Sequence, residues 1–164
     1  MKKTVFFLAH YDDEFGIYEE IRNHVANKIP LQIVYLTSSS LDGINNKIRE
    51  NESLCVLKKL GVKKSQISFI GKELSIPDLA LKDHLISAFL KCKSLIKKLE
   101  NVDTIYTHAY EGGHPDHDAL NFLCSKLILT NKSKITGWQF PLYCGPGLIG
   151  PLFYLFKPLK YNGR

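Results

Sequence analysis

Two short runs gather residue types that bind metals and move protons: His10-Tyr11-Asp12-Asp13-Glu14 and His114-Pro115-Asp116-His117-Asp118. Each follows an apolar, β-branched stretch, which places both at the ends of strands. In an open parallel α/β sheet ligands collect in the crevice beyond the carboxyl ends of the strands, so loops roughly a hundred residues apart can meet in one site. Imidazoles with a carboxylate suit Zn²⁺. A spare carboxylate beside them is what a hydrolytic metal site needs to deprotonate its water.

His10 and Asp13 lie three apart at a strand-to-helix junction and can turn toward one point, while Asp12 points elsewhere into the same cavity. His117, on the first turn of the next helix, supplies a third ligand and leaves a coordination position for water. Asp12 is then the candidate general base. His114, as an imidazolium, is the candidate donor to the oxyanion formed when water attacks a carbonyl. Asp116 and Asp118 flank His117 and are placed to orient the imidazoles. Each residue also has a plainer reading: His10 as a buried histidine, Asp12-Asp13 as a helix cap and first-turn carboxylate, His-Pro-Asp-His as a helix opening. The joint pattern favours the metal, because each loop supplies what the other lacks. His108 reads as a strand-end residue without a role, and His24 and His84 as ordinary mid-helix residues.

The elements that must position these residues are legible as β-rich runs alternating with amphipathic stretches, the pattern of a βαβ protein. Strands are expected over Thr4–Ala9, Leu31–Thr37, Gln66–Ile70, Asp103–Thr107 and Ile135–Pro141. Helices are expected from Asp13 to about Lys28, from about Asn45 to Leu60 with Gly61 as a left-handed cap, from Leu79 to Leu99, and from Pro115 onward. The segment 145–164 is apolar and punctuated by Gly and Pro. Packing against the sheet is favoured for it over a substrate lid or a membrane-touching patch.

At 164 residues, 45% hydrophobic and 23% charged, the chain has the profile of one soluble globular domain spanning 1–164. No run approaches the ~20 apolar residues of a membrane span. Lys2-Lys3 followed by Thr4–Ala9 lacks the length and cleavage site of a signal peptide, so the expected location is cytoplasmic. Cys55, Cys92, Cys124 and Cys144 form no C-x-x-C pair, which leaves them reduced and mostly buried. The net charge of +6 comes from scattered lysines that read as solvated helix faces, so no nucleic-acid partner is implied. The oligomeric state is not written in these patterns.

These residues resemble the PIG-L/LmbE-like family of zinc-dependent N-acetylglucosaminyl deacetylases. Ala9-His10-Tyr11-Asp12-Asp13-Glu14 is similar to its A-H-P-D-D-E signature, and His114-Pro115-Asp116-His117 to its later H-x-x-H. Arg49, Glu52 and Leu60-Gly61-Val62 fall in the family's order between them. The resemblance implies a Rossmann-like three-layer sandwich with a mostly parallel sheet, and one Zn²⁺ per chain, or another divalent metal, on His10, Asp13 and His117. It also implies Asp12 as base, His114 as oxyanion stabiliser or acid, and Arg49 as a substrate-side residue. The substrate would be a small-molecule N-acetylated sugar conjugate, and the products a free amine and acetate. Tyr11 stands where the family has proline, which loosens the loop but removes no ligand. Family members generally extend beyond the point matching Arg164. The alternative is therefore a non-catalytic sugar- or metal-binding remnant of a truncated gene. A His-Asp phosphohydrolase is disfavoured because both clusters follow strands. A nucleotide-binding Rossmann protein is disfavoured because acidic side chains replace the glycine-rich phosphate cradle.

Overall fold

The computed structural model describes residues 2–38, 46–131, 134–142 and 159–160. Their strands are β1 (Lys3–Leu8), β2 (Leu31–Tyr35), β3 (Ile67–Phe69), β4 (Val102–His108), β5 (Thr136–Phe140) and β6 (Leu159–Lys160). Their helices are α1 (Tyr18–Ala26), α2 (Asn46–Lys59), α3 (Ile70–Glu73), α4 (Leu85–Leu99) and α5 (Pro115–Thr130). The sheet order is β3-β2-β1-β4-β5-β6. The first five strands run parallel, and β6 pairs antiparallel with β5.

Alternation along β1 shows why the sheet sits between two helical layers. Val5 and Phe7 point into a core shared with Ala88 and Cys92 of α4 and Leu120 and Cys124 of α5. Phe6 and Leu8 point the opposite way, toward Ile21 of α1 and Leu57 of α2. A strand buried on both faces reads as a continuous apolar run, which is how Thr4–Ala9 appears in the sequence. This is the expected α/β three-layer sandwich.

The strand order reverses at β1, which has β2 on one side and β4 on the other. The loops that leave β1 and β4 therefore open onto the crevice at that switch point, and these loops carry the two clusters. The helix expected from Asp13 instead begins as a 3-10 turn over Asp13–Ile17 before α1. The expected helix from Leu79 likewise opens with a 3-10 turn, Leu81–His84, ahead of α4, so His84 lies at the helix start and not within it. Gly61 takes the left-handed conformation foreseen for it, with φ +91°. Among the described residues no helix is long and apolar enough to cross a membrane. Apart from the strand at 159–160, the segment 145–164 lies outside the described residues.

Candidate metal centre

Asp12 has φ +100°, and this left-handed turn between β1 and the 3-10 turn sends successive side chains to different sides. Asp13 turns inward and is buried. Asp12 keeps 71% of its side chain exposed. The His10 amide donates to Asp13 Oδ2 at 2.7 Å, which closes the loop on itself. The second loop is held by Asp118, whose Oδ1 accepts from the amides of Glu111 and Gly112 at 3.1 and 3.2 Å. Asp118 thus orders the loop that delivers His114, and does not touch an imidazole as the sequence reading had it. Tyr11, in the family's proline position, is buried with its ring edge-on to Tyr35 and Phe69.

The structure brings His10, Asp13 and His117 together. His117 Nε2 lies 3.2 Å from His10 Nδ1 and 3.4 Å from Asp13 Oδ1, and His10 Nδ1 lies 3.5 Å from Asp13 Oδ2. Donor atoms ~2.0–2.1 Å from one tetrahedral zinc would stand about 3.3 Å apart, which the His117–His10 and His117–Asp13 Oδ1 spacings match, while His10 Nδ1 faces the other Asp13 oxygen. The remaining nitrogen of His10, Nε2, faces Asp116 Oδ2 at 3.0 Å and Asp78 Oδ1 at 2.8 Å. Those carboxylates fix the ring so that Nδ1 points at the common centre. Asp116 is fully buried and also accepts from the amides of Leu79 and Leu81 at 2.7 and 3.0 Å. It therefore orients an imidazole, as expected of it.

Burial disfavours a charged His10, yet the Asp116, Asp13 and Asp78 carboxylates outweigh it and push the imidazole up to about 12. Burial likewise opposes ionisation of Asp13, but His108, His10 and His117 hold it well below the usual carboxylate range. Partial desolvation and the Asp13 charge raise Asp12, while Arg49 pulls it back. Arg49 Nη2 lies 3.0 Å from Asp12 Oδ2 and 3.2 Å from the Tyr11 carbonyl oxygen. His114 caps α5, its Nδ1 accepting from the Asp116 amide at 3.3 Å, and its ring centroid is 4.6 Å from those of both His10 and His117. Burial and these two neighbours lower its pKa. An Nδ1 that accepts leaves Nε2 to carry a ring hydrogen, so the geometry gives His114 a donor at Nε2.

Sequence reasoning missed two members of the cluster. His108, read as a strand-end residue without a role, is fully buried with Nε2 2.9 Å from Asp13 Oδ2. Burial pushes it down to about 4 despite Asp13. Its place as the last residue of β4, beside the switch point, was the available signal. Asp78 comes from a loop between α3 and α4 that no local pattern ties to the site. His24 behaves as the plain reading says, with its nitrogens near Glu20 O and Thr4 Oγ1. Beside Asp12 and Arg49 opens a cavity of about 560 Å³, walled by Tyr11, Phe15, Tyr18, Val56 and Leu60.

A strand-end cluster of this kind on a 3-2-1-4-5 parallel sheet marks an α/β protein with a polar site at its topological switch point. The family model described as PIG-L, GlcNAc-PI de-N-acetylase, matches residues 5–128. The chain belongs to that family. No curated protein matches it. Among solved structures it is similar to an N,N'-diacetylchitobiose deacetylase from Pyrococcus horikoshii complexed with an inhibitor. That match has 19% identity and TM-score 0.66, covering 85% of this chain and 60% of that one. It is similar to the zinc-inhibited form of teicoplanin deacetylase Orf2, with 11% identity and TM-score 0.71 over 85% of this chain and 67% of that one. It also resembles a conserved protein from Thermus thermophilus, with 17% identity and TM-score 0.67 over 92% and 69% of the two chains. At these identities the structural matches speak for the fold alone. The chain spans 60% of the length of the chitobiose deacetylase.

Proposed function

We propose that this chain is a zinc-dependent hydrolase that removes acetyl from an N-acetylated amino sugar of the N-acetylglucosamine-conjugate type. The observation that carries the reading is the meeting of His10, Asp13 and His117, with His117 Nε2 3.2 Å from His10 Nδ1 and 3.4 Å from Asp13 Oδ1. Membership of the PIG-L family and the likeness to solved deacetylases support the reaction type. One Zn²⁺ per chain held there, or another divalent ion, would lower the pKa of its water to ~7 and polarise the acyl oxygen.

The remaining chemistry belongs to the chain. Asp12 is the general base: Arg49 keeps it ionised and aimed, while its raised pKa strengthens it as a proton acceptor. His114 Nε2–H donates a hydrogen bond to the acyl oxygen as negative charge builds there, and the proton that Asp12 has taken from water passes on to the departing amine. Arg49 reaches the substrate from the same side, and the cavity beside it gives the conjugate's apolar part a wall of Phe15, Tyr18, Val56 and Leu60. The partner is a small molecule, and the reaction takes place in the cytoplasm without a nucleic-acid partner.

The test is acetate release from a panel of N-acetylglucosamine conjugates with and without a chelator. Release that stops on chelation and returns with zinc is expected. Chelator-resistant deacetylation would overturn the metal mechanism, and zinc binding without acetate release would favour a non-catalytic remnant.

A further inference from the structure

His108 is the one buried imidazole of the cluster for which the proposed reaction has no use. Its ring stacks on that of His117, with centroids 3.9 Å apart and planes inclined by only 6°. An imidazole binds a metal through a lone pair in its ring plane. Asp13, His108 and His117 also gather within metal-binding reach of one another, but stacked, nearly parallel rings aim their in-plane lone pairs side by side, which disfavours one ion shared by His108 and His117. His10 and His117 differ here, because their planes are inclined by 47° and intersect.

The polar contact of His108 runs instead to Asp13. Its Nε2 is 2.9 Å from Oδ2, the same oxygen that accepts the His10 amide at 2.7 Å. An ionised carboxylate only accepts, so the shared hydrogen sits on His108. The Ala9 amide also points its N–H at that nitrogen, at 3.4 Å, a bond given up when Nε2 carries the hydrogen for the much shorter 2.9 Å contact with Asp13. With two donors on Oδ2, Asp13 keeps Oδ1 for other partners, and Oδ1 is the atom 3.4 Å from His117 Nε2. The ring is anchored between β4 and α5: the His108 carbonyl accepts from Asn121 Nδ2 at 2.7 Å, and Phe140 packs against the imidazole at 4.6 Å. His108 Nδ1 is buried with no hydrogen-bond partner among the described residues. A side chain kept only for packing would not bury an unsatisfied nitrogen, which is costly.

We propose that His108 is a positioning residue: by donating Nε2–H to Asp13 Oδ2 it presents Oδ1 alone to the ion and makes Asp13 a one-oxygen ligand. This rests on the reading of His10, Asp13 and His117 as the ligands.

The test is the zinc affinity of the full chain, measured by competition with a chromophoric chelator, alongside the melting temperature of the metal-free protein. His108→Phe keeps the stack on His117 but has no N–H, and His108→Gln restores an amide donor. Loss of such a supporting partner typically weakens metal binding about 10–100-fold. That loss is expected for His108→Phe, with partial recovery in His108→Gln and no fall in metal-free melting temperature for His108→Phe. If His108→Phe does not fold, His108→Asn, too short to reach Asp13, is expected to show the same weakening. Parent-like zinc affinity in these variants would overturn the inference while leaving the ligand reading intact. A changed ligand-field spectrum of the Co²⁺-loaded His108→Phe protein at saturation would overturn it differently, by making His108 a ligand. A parent protein that takes up no zinc would remove both readings.

Discussion

Asp12 occupies a left-handed backbone conformation that costs a non-glycine residue about 1–3 kcal/mol, and its amide is held there by Glu14 Oε2 and Ser53 Oγ, each at 3.1 Å. The strain separates the roles of two adjacent aspartates, one turned in toward the histidines and one left at the cavity with Arg49. Asp12→Asn keeps the shape and removes the proposed base, so turnover is expected to fall about 10²–10⁴-fold with zinc content unchanged. Loss of zinc together with activity would make Asp12 a ligand instead. Glu14, which accepts from Tyr35 Oη at 2.8 Å, is raised by burial against the pull of its hydrogen bonds. A carboxyl whose folded-state pKa is raised favours the fold at low pH, and that contribution is lost as pH rises through the folded value. Glu14→Gln should therefore stabilise the protein at pH 8, by on the order of 1 kcal/mol, and leave it unchanged near pH 4. Melting curves at the two pH values check this, and destabilisation at pH 8 would show that the charge itself is needed.

Among the elements, α3 has the tightest seat. A Cβ at Gly71 would stand 2.4 Å from Leu36 C, Thr37 C and Thr37 Cα, all rigid backbone at the end of β2. Gly71→Ala must push α3 off the sheet, and overpacking of this sort costs about 1–3 kcal/mol. For a chain of this size each kcal/mol lowers the melting temperature by roughly 2–4 °C. An unchanged melting temperature would mean that α3 shifts freely. The α3–α4 connection also carries Asp78 and the two amides on Asp116, so zinc affinity should fall with the melting temperature. This element was not legible in the sequence. Ile70 completes the apolar run of β3, and nothing local announces that the chain turns helical there. β1 was legible because a strand buried on both faces leaves an apolar run, β2, β4 and β5 because short stretches rich in β-branched and aromatic residues alternate with helical patterns, and α5 because Pro115 marks a helix start. The split of the Asp13 helix was not, because a 3-10 opening is imposed by the turn at Asp12 and by Asp13's contacts with β4 and α5. Of the site, the residues in compact motifs were readable. His108 and Asp78 were not, because only the sheet order brings them to His10.

At the scale of the whole molecule, Asp116 ties three distant segments to one point: His10 after β1, the Leu79–Leu81 stretch before α4, and α5 itself. The site is thus an outcome of the complete β1–α5 assembly. The same assembly buries two of the three cysteines among the described residues, Cys144 lying outside them. Burial pushes Cys92 well above the ordinary thiol range and Cys124 up to about 12, while Cys55 on α2 is exposed. This refines the expectation of mostly buried cysteines. Iodoacetamide at pH 8 is expected to modify Cys55 and to spare Cys92 and Cys124 until the protein is unfolded, as read by peptide mass spectrometry. Native-state labelling of Cys92 would show that the α4–α5 layer opens.

Whether His10, Asp13 and His117 meet at one ion is tested most directly by the zinc X-ray absorption spectrum of the loaded protein. It should show a nitrogen and oxygen shell at ~2.0–2.1 Å with no sulfur at ~2.3 Å, and multiple scattering from two imidazoles. Scattering from three or four imidazoles, or a cysteine sulfur in the shell, would contradict it.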